Sequence, residues 1–128
     1  MLCLDTSVAI LVRDGDERTL SRLERVNDLT VISVVTRVEL EGGVGREPKS
    51  APIRRPRLKD MYELIQTLPF DAACADAYAR IVQTAGYSRR KILDRMIAAQ
   101  ALVARATLAT LNPGDFADIP ELRLEDWS

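Results

Sequence analysis

Four acidic residues fall beside apolar segments of the chain. Asp5 follows Leu2-Cys3-Leu4, Glu39 rides on the helical stretch after Val31–Val35, Asp94 lies early in the helix leading to Thr107–Thr110, and Asp115 comes just after that segment. Histidine is absent from all 128 residues. This removes the usual proton shuttle near neutral pH, the Ser-His and Cys-His nucleophile pairs, and the commonest transition-metal ligand. Any chemistry must therefore run on carboxylates. Gathered together, their hard oxygens suit magnesium, with manganese as the alternative. Such a site suits phosphodiester hydrolysis, because the cation lowers the pKa of a bound water and stabilises charge on the scissile phosphate.

Each acid also has a plainer use. Asp5 could cap the helix starting at Thr6, Glu39 could be a solvated helix residue like Glu41, Asp94 could pair with Arg90, and Asp115 could hold a turn. Asp94 resists this most. Its same-face neighbours Ile97, Ala98 and Ala101 are apolar or small, which should draw that face inward, where an unpaired carboxylate costs several kcal/mol. No histidine or lysine is expected on that face, so a divalent cation shared with Asp5 is the simplest partner. Magnesium takes one or two carboxylates and keeps several waters, leaving Glu39 and Asp115 to orient those waters or hold a second ion.

The elements that must position these acids can be read from periodicity. Leu2–Leu4 reads as a buried strand feeding a helix through Val12, and Leu20, Leu23 and Val26 mark a second, amphipathic helix. Val31–Val35 reads as a strand, followed by a helix from Thr36 that ends near Gly42-Gly43. Pro48, Pro52 and Pro56 among Arg46, Lys49, Arg54, Arg55 and Arg57 predict an exposed basic loop over 44–57. A helix resumes through Leu58, Met61 and Ile65, then Leu68–Phe70 crosses in extended form. Asp71 caps an alanine-rich helix that stops at Gly86, and the next helix spans roughly Arg90 to Ala104. Thr107–Thr110 is a strand, Asn112–Asp115 a turn, and Leu122–Leu124 a last short strand. Alternating strands and helices predict an α/β fold, a short parallel sheet covered by helices in three α/β/α layers, with ligands bound beyond the carboxyl ends of the strands.

Composition agrees with one domain, 1–128. Hydrophobic residues make up 47%, charged residues 29%, and the formal net charge is -1, which excludes a disordered chain. No run is long and apolar enough for a membrane span, and no secretory leader is recognisable, so a cytoplasmic address is expected. Cys3 and Cys74 are read as reduced core residues, and Trp127 as a plug at the core edge. Gly43–Ser50 imitates a phosphate-binding loop, but Pro48 replaces the second required glycine and no strand precedes it. The basic groups of 46–59 and Arg89-Arg90-Lys91 could offset repulsion between an acidic pocket and a polyanion, or simply be solvated. Aromatic residues, at 5%, are too few for an extended base-stacking platform.

Leu4-Asp5-Thr6-Ser7, Ile32–Thr36 leading to Glu39-Leu40, Asp94–Ala99, and Ala106-Thr107-Leu108 through Asp115-Phe116 together resemble the PIN-domain family, in particular its VapC toxin branch. The resemblance covers nearly the whole chain, including motif order and the ending Leu122 to Trp127. It implies a three-layer nuclease domain, a magnesium- or manganese-dependent endoribonuclease, and a homodimer. It also implies inhibition by a cognate VapB antitoxin whose C-terminal segment occupies the active-site groove, with operator DNA bound only through that antitoxin. On this likeness Asp5 and Asp94 match the principal metal ligands, and Glu39 and Asp115 the other acidic positions. Thr6 and Ser7 are candidates to support Asp5, Asn112 to bind a water or phosphate, and Arg89 and Arg90 to meet substrate. Leu93 stands where many relatives carry a polar residue, and Pro113-Gly114 gives the approach to Asp115 its own shape. This leaves open whether Glu41 or Asn112 replaces a family acid. Two other classes compete: an inert PIN-like module that binds RNA or a partner, and a phospho-accepting receiver. The receiver is disfavoured by the single acid in Leu4-Asp5-Thr6.

Overall fold

Leu2, Cys3 and Leu4 are all buried, a pattern open only to a strand covered on both faces. In the computed structural model, which describes Met1–Ser128, they form β1 (Leu2–Leu4) at the centre of a five-stranded sheet. Its neighbours are β2 (Thr30–Ser33), β3 (Gln66–Leu68), β4 (Thr107–Thr110) and β5 (Leu124–Asp126), in the order β3-β2-β1-β4-β5, all parallel. Leu4 lies opposite Ile32 on one side and Ala109 on the other. Successive side chains point to opposite faces, and the core divides accordingly. Leu2, Leu4, Ile32 and Ala109 join the cluster under α1 (Thr6–Asp14), α3 (Val34–Arg46) and α4 (Ala51–Leu64), while Cys3, Val31 and Leu108 join the one under α5 (Ala72–Ala85) and α6 (Ile92–Ala104). The three α/β/α layers follow from that alternation. The remaining helix, α2 (Glu17–Glu24), begins at Asp16, which caps it through Thr19.

Several boundaries differ from the sequence reading. Ser33 ends β2 and caps α3 through Val35, so Val34 and Val35 open a helix instead of closing a strand. α3 continues past Gly42-Gly43 to Arg46 because Leu40 and Val44, one turn apart on the same face, are both 1% exposed. Their burial outweighs about 1 kcal/mol of helix propensity lost at each glycine. The exposed basic loop expected over 44–57 does not exist. A 3-10 turn at Pro48–Ser50 leads straight into α4, with Pro52 in the first turn where no amide partner is needed, and Pro56 one turn on. Leu58 and Met61 anchor that helix in the core. α6 starts at Ile92 after a 3-10 turn at Arg89–Lys91, and β5 lies two residues later than expected.

Other expectations hold. Asp71 caps α5 through Cys74, and Gly86, at a positive φ, ends it. Cys3 and Cys74 are buried free thiols, burial pushing Cys3 up to about 12. Trp127 is buried against β4, its amide donating to Thr110 O at 2.8 Å. No helix is long and apolar enough to cross a membrane.

Candidate active site

Asp5 is the residue after β1, so it leaves the central strand at the carboxyl edge of the sheet, between Ser33 and Thr110. Its amide donates to Ala109 O at 3.0 Å. Its carboxylate accepts from the Val8 amide at 3.0 Å and the Ser7 hydroxyl at 2.5 Å, and the residue is only 5% exposed. Asp5 is therefore the α1 cap, as the plainer reading required. The cap bonds also fix where the other carboxylate oxygen sits. Ser7 ties this corner to β4, since its Oγ accepts from the Leu111 amide at 3.1 Å.

Thr6, the first residue of α1, points toward α3. Its hydroxyl donates to Glu39 Oε1 at 2.6 Å, and its single proton being used there, the Thr36 hydroxyl 3.2 Å away is left to donate to Thr6. Thr6 thus supports Glu39, whereas the sequence suggested Asp5. Thr36, fully buried on α3, completes the chain; sequence reading missed it because a helical threonine next to two valines carries no distinctive signal. Glu39 is half-buried, not a freely solvated helix residue.

Asp94 sits in the first turn of α6, where the partial positive charge of the helix end favours an anion. Despite that, its carboxyl is raised from 3.8 to about 6. Burial is the largest cause, followed by the like charges of Glu39, Asp115 and Asp5. Glu39, Asp115 and Asp5, drawn from three other stretches of chain, thus lie within electrostatic reach of Asp94. Lys91 alone opposes the shift, and its presence corrects the expectation that no lysine would stand near Asp94. Lys91 gives its ammonium to Asp118 at 3.6 Å rather than to Asp94, and the alternative ion pair of Asp94 with Arg90 is not formed.

Asp115 is exposed on the 3-10 turn Pro113–Phe116, its amide donating to Asn112 O at 3.0 Å. Asn112 is also exposed, its own amide held by Thr110 Oγ1 at 3.0 Å. Arg89 and Arg90 are exposed on the turn before α6, at the same edge of the sheet. Glu41 is drawn elsewhere: it accepts from Tyr62 at 3.1 Å and pairs with Arg55 at 3.3 Å.

Residues 2–122 match the PIN domain. The chain belongs to the PIN-domain family. Among relatives of this PIN protein, Ribonuclease VapC2 of Rickettsia felis is 28% identical over 131 residues, covering 97% of this chain and 96% of the relative. The structure of VapBC2 from Rickettsia felis bound to a DNA fragment from their promoter superposes with a TM-score of 0.88 at 26% identity, covering 99% of this chain and 98% of the other. FitAcB from Neisseria gonorrhoeae gives 0.81 at 28% identity, with 98% and 97% covered.

The PIN family implies a divalent cation, and the donor set fits one. The carboxylates of Glu39, Asp115 and Asp5 act on Asp94 as hard oxygen donors of like charge, the chain has no histidine, and the repulsion at Asp94 is what a dication relieves. The fit is one of donor chemistry and charge, since the side chains are not drawn into a ready three-ligand cage.

Proposed function

We propose that this PIN protein is an endoribonuclease of the VapC toxin type, which hydrolyses RNA phosphodiester bonds in the cytoplasm with the help of Mg2+, or Mn2+ in its place. The observation that carries the reading is the raised carboxyl of Asp94, repelled by Glu39, Asp115 and Asp5 at the carboxyl edge of the sheet. The similarity to Ribonuclease VapC2 supports RNA as the substrate. Asp5 and Asp94 would hold the cation, and Glu39 and Asp115 would orient water or a second ion. The cation would supply an acidified water and positive charge beside the scissile phosphate.

This chain's own residues do the rest. Ser7 and the Val8 amide fix one Asp5 oxygen, so that the other is held in one orientation. Thr6 and Thr36 orient Glu39 in the same way. Arg89 and Arg90, exposed beside the start of α6, attract the phosphate backbone toward the acids. Water oxygen bonds to phosphorus as the phosphorus–ester oxygen bond breaks, leaving a phosphate monoester on one fragment and a hydroxyl on the other.

The likeness to VapBC2, solved on a fragment of its promoter DNA, supports a cognate VapB-type antitoxin as partner; contact with operator DNA only through that antitoxin, and a homodimer, belong to the same proposal. The single domain spans 1–128. Purified protein should cut RNA with Mg2+ or Mn2+, stop on chelation, and fail as Asp5→Asn or Asp94→Asn. Cleavage persisting in both variants would refute the assignment. A second reading, an inert module that binds RNA or a partner, draws on the absence of a ready three-ligand cage. Calorimetric titration separates the two: no specific divalent-ion binding at millimolar concentration favours the inert module.

A further inference from the structure

Arg95 follows Asp94 directly, about 100° further round the helix, and is only 3% exposed. A buried guanidinium without good partners is costly, so its contacts carry information. One terminal nitrogen donates to the Gly86 carbonyl, where α5 ends, and the other reaches Asp118 Oδ2 at 3.1 Å; Nε has no partner. The same Asp118 oxygen accepts Lys91 at 3.6 Å. Residues on both sides of Asp94 in sequence therefore converge on one carboxylate. That carboxylate lies three residues beyond Asp115, in a segment whose other face is pinned by Phe116 at 1% and Ile119 at 5% exposure.

We propose that Arg95, with Asp118 as its counter-ion, is a positioning residue that clamps the Asp115 turn to the first turn of α6 and so sets the gap across which Asp94 and Asp115 face one another. This rests on the acidic-site reading given under Proposed function. Asp94 and Asp115 repel each other, and Asp115 sits on a short exposed turn that could swing outward. Phe116 and Ile119 pack the turn into the same core cluster as Ile97, Ala98 and Ala101 of α6, and the Asp118 pairs add the polar ties between this segment and the residues flanking Asp94.

The test uses Asp118→Asn, which keeps the shape of a half-exposed side chain and removes the charge that Arg95 and Lys91 share, together with Arg95→Lys and Arg95→Met. Should Arg95→Met fail to fold, Asp118→Asn keeps the proposal testable. Amide hydrogen exchange, measured in chelator, reads the clamp without any metal. Exchange at Asp115 and Ile119 should quicken about tenfold in Asp118→Asn while β1 and β4 stay protected. Calorimetry with Mn2+ then reads the consequence: affinity falls roughly tenfold, as when an outer partner of a metal ligand is lost. Arg95→Lys, which can still reach Asp118, should fall between wild type and Arg95→Met. The KM for RNA should stay unchanged while the Mn2+ concentration for half-maximal cleavage rises by the same factor as the binding constant. Unchanged exchange in Asp118→Asn overturns the clamp. Quickened exchange with undiminished Mn2+ affinity overturns its bearing on the acids. Wild-type protein that binds no Mn2+ overturns the acidic-site reading instead, whatever the exchange data give.

Discussion

Replacing Asp94 with asparagine should make the metal-free protein more stable at neutral pH while abolishing its activity. The carboxyl stands at about 6 in the fold against an ordinary 3.8. Between those values the folded protein holds a proton that the unfolded chain has released, so stability falls as pH rises through this window. Below about pH 3 the group is neutral in both states and its penalty vanishes; above about pH 7 the penalty is complete. At about 1.4 kcal/mol per tenfold change in proton affinity, the ceiling is about 3 kcal/mol. Asp94 is only half-buried, so solvent screening cuts this to roughly 1.5 kcal/mol. The favourable helix end at the first turn of α6 is already contained in that difference, so the expected gain is about 1.5 kcal/mol. For a domain of this size that is a rise in Tm of roughly 5–8 °C. Thermal denaturation of both proteins in chelator, from about pH 3 to about pH 8, measures it. The difference should grow with pH and be absent at the acid end. Millimolar Mg2+ should then raise the Tm of wild type but not of Asp94→Asn. A variant no more stable than wild type at the alkaline end, or a difference largest in acid, would refute the electrostatic account of the site.

Two further substitutions probe its supports. Ser7→Ala removes the hydroxyl that joins Asp5 to the Leu111 amide; it should lower stability by about 1–3 kcal/mol in urea denaturation and weaken Mn2+ binding in calorimetry. Pro56→Ala, on the exposed side of α4, restores a helical hydrogen bond to Pro52; it should raise stability by about 1–2 kcal/mol, read as a shift of the urea midpoint with unchanged slope.

Much of the fold was legible in short signals that the rest of the chain does not contradict. The all-apolar Leu2–Leu4 with an acid behind it marked the central strand, and Asp71 and Gly86 bracketed α5 because a cap and a left-handed stop act locally. The errors came where distant packing outweighed local preference. Gly42, Gly43 and Gly45 lie inside α3 because Leu40 and Val44 are buried by other elements. Pro52 and Pro56 lie inside α4 because Leu58 and Met61 anchor it and the prolines fall near its start. At the site, the acids announced themselves by type and position. Their supports did not: Thr36 acts through Thr6 from another helix, and Lys91 and Arg95 turn to Asp118, 23 residues beyond Arg95. Pairings of that kind have no periodicity, so only the folded chain reveals them.

The strand order has a consequence for the protein while it is being made. β1 leaves the ribosome long before β4, its neighbour in the finished sheet, because Leu4 must wait for Ala109. At the usual 5–20 residues per second the delay is roughly 5–20 s. For most of that interval the nascent chain carries Asp5, then Glu39; Asp94 joins them only shortly before β4, and Asp115 only after it. Until β4 is made the four acids cannot be assembled, so any cutting that depends on them must wait for the sheet to close.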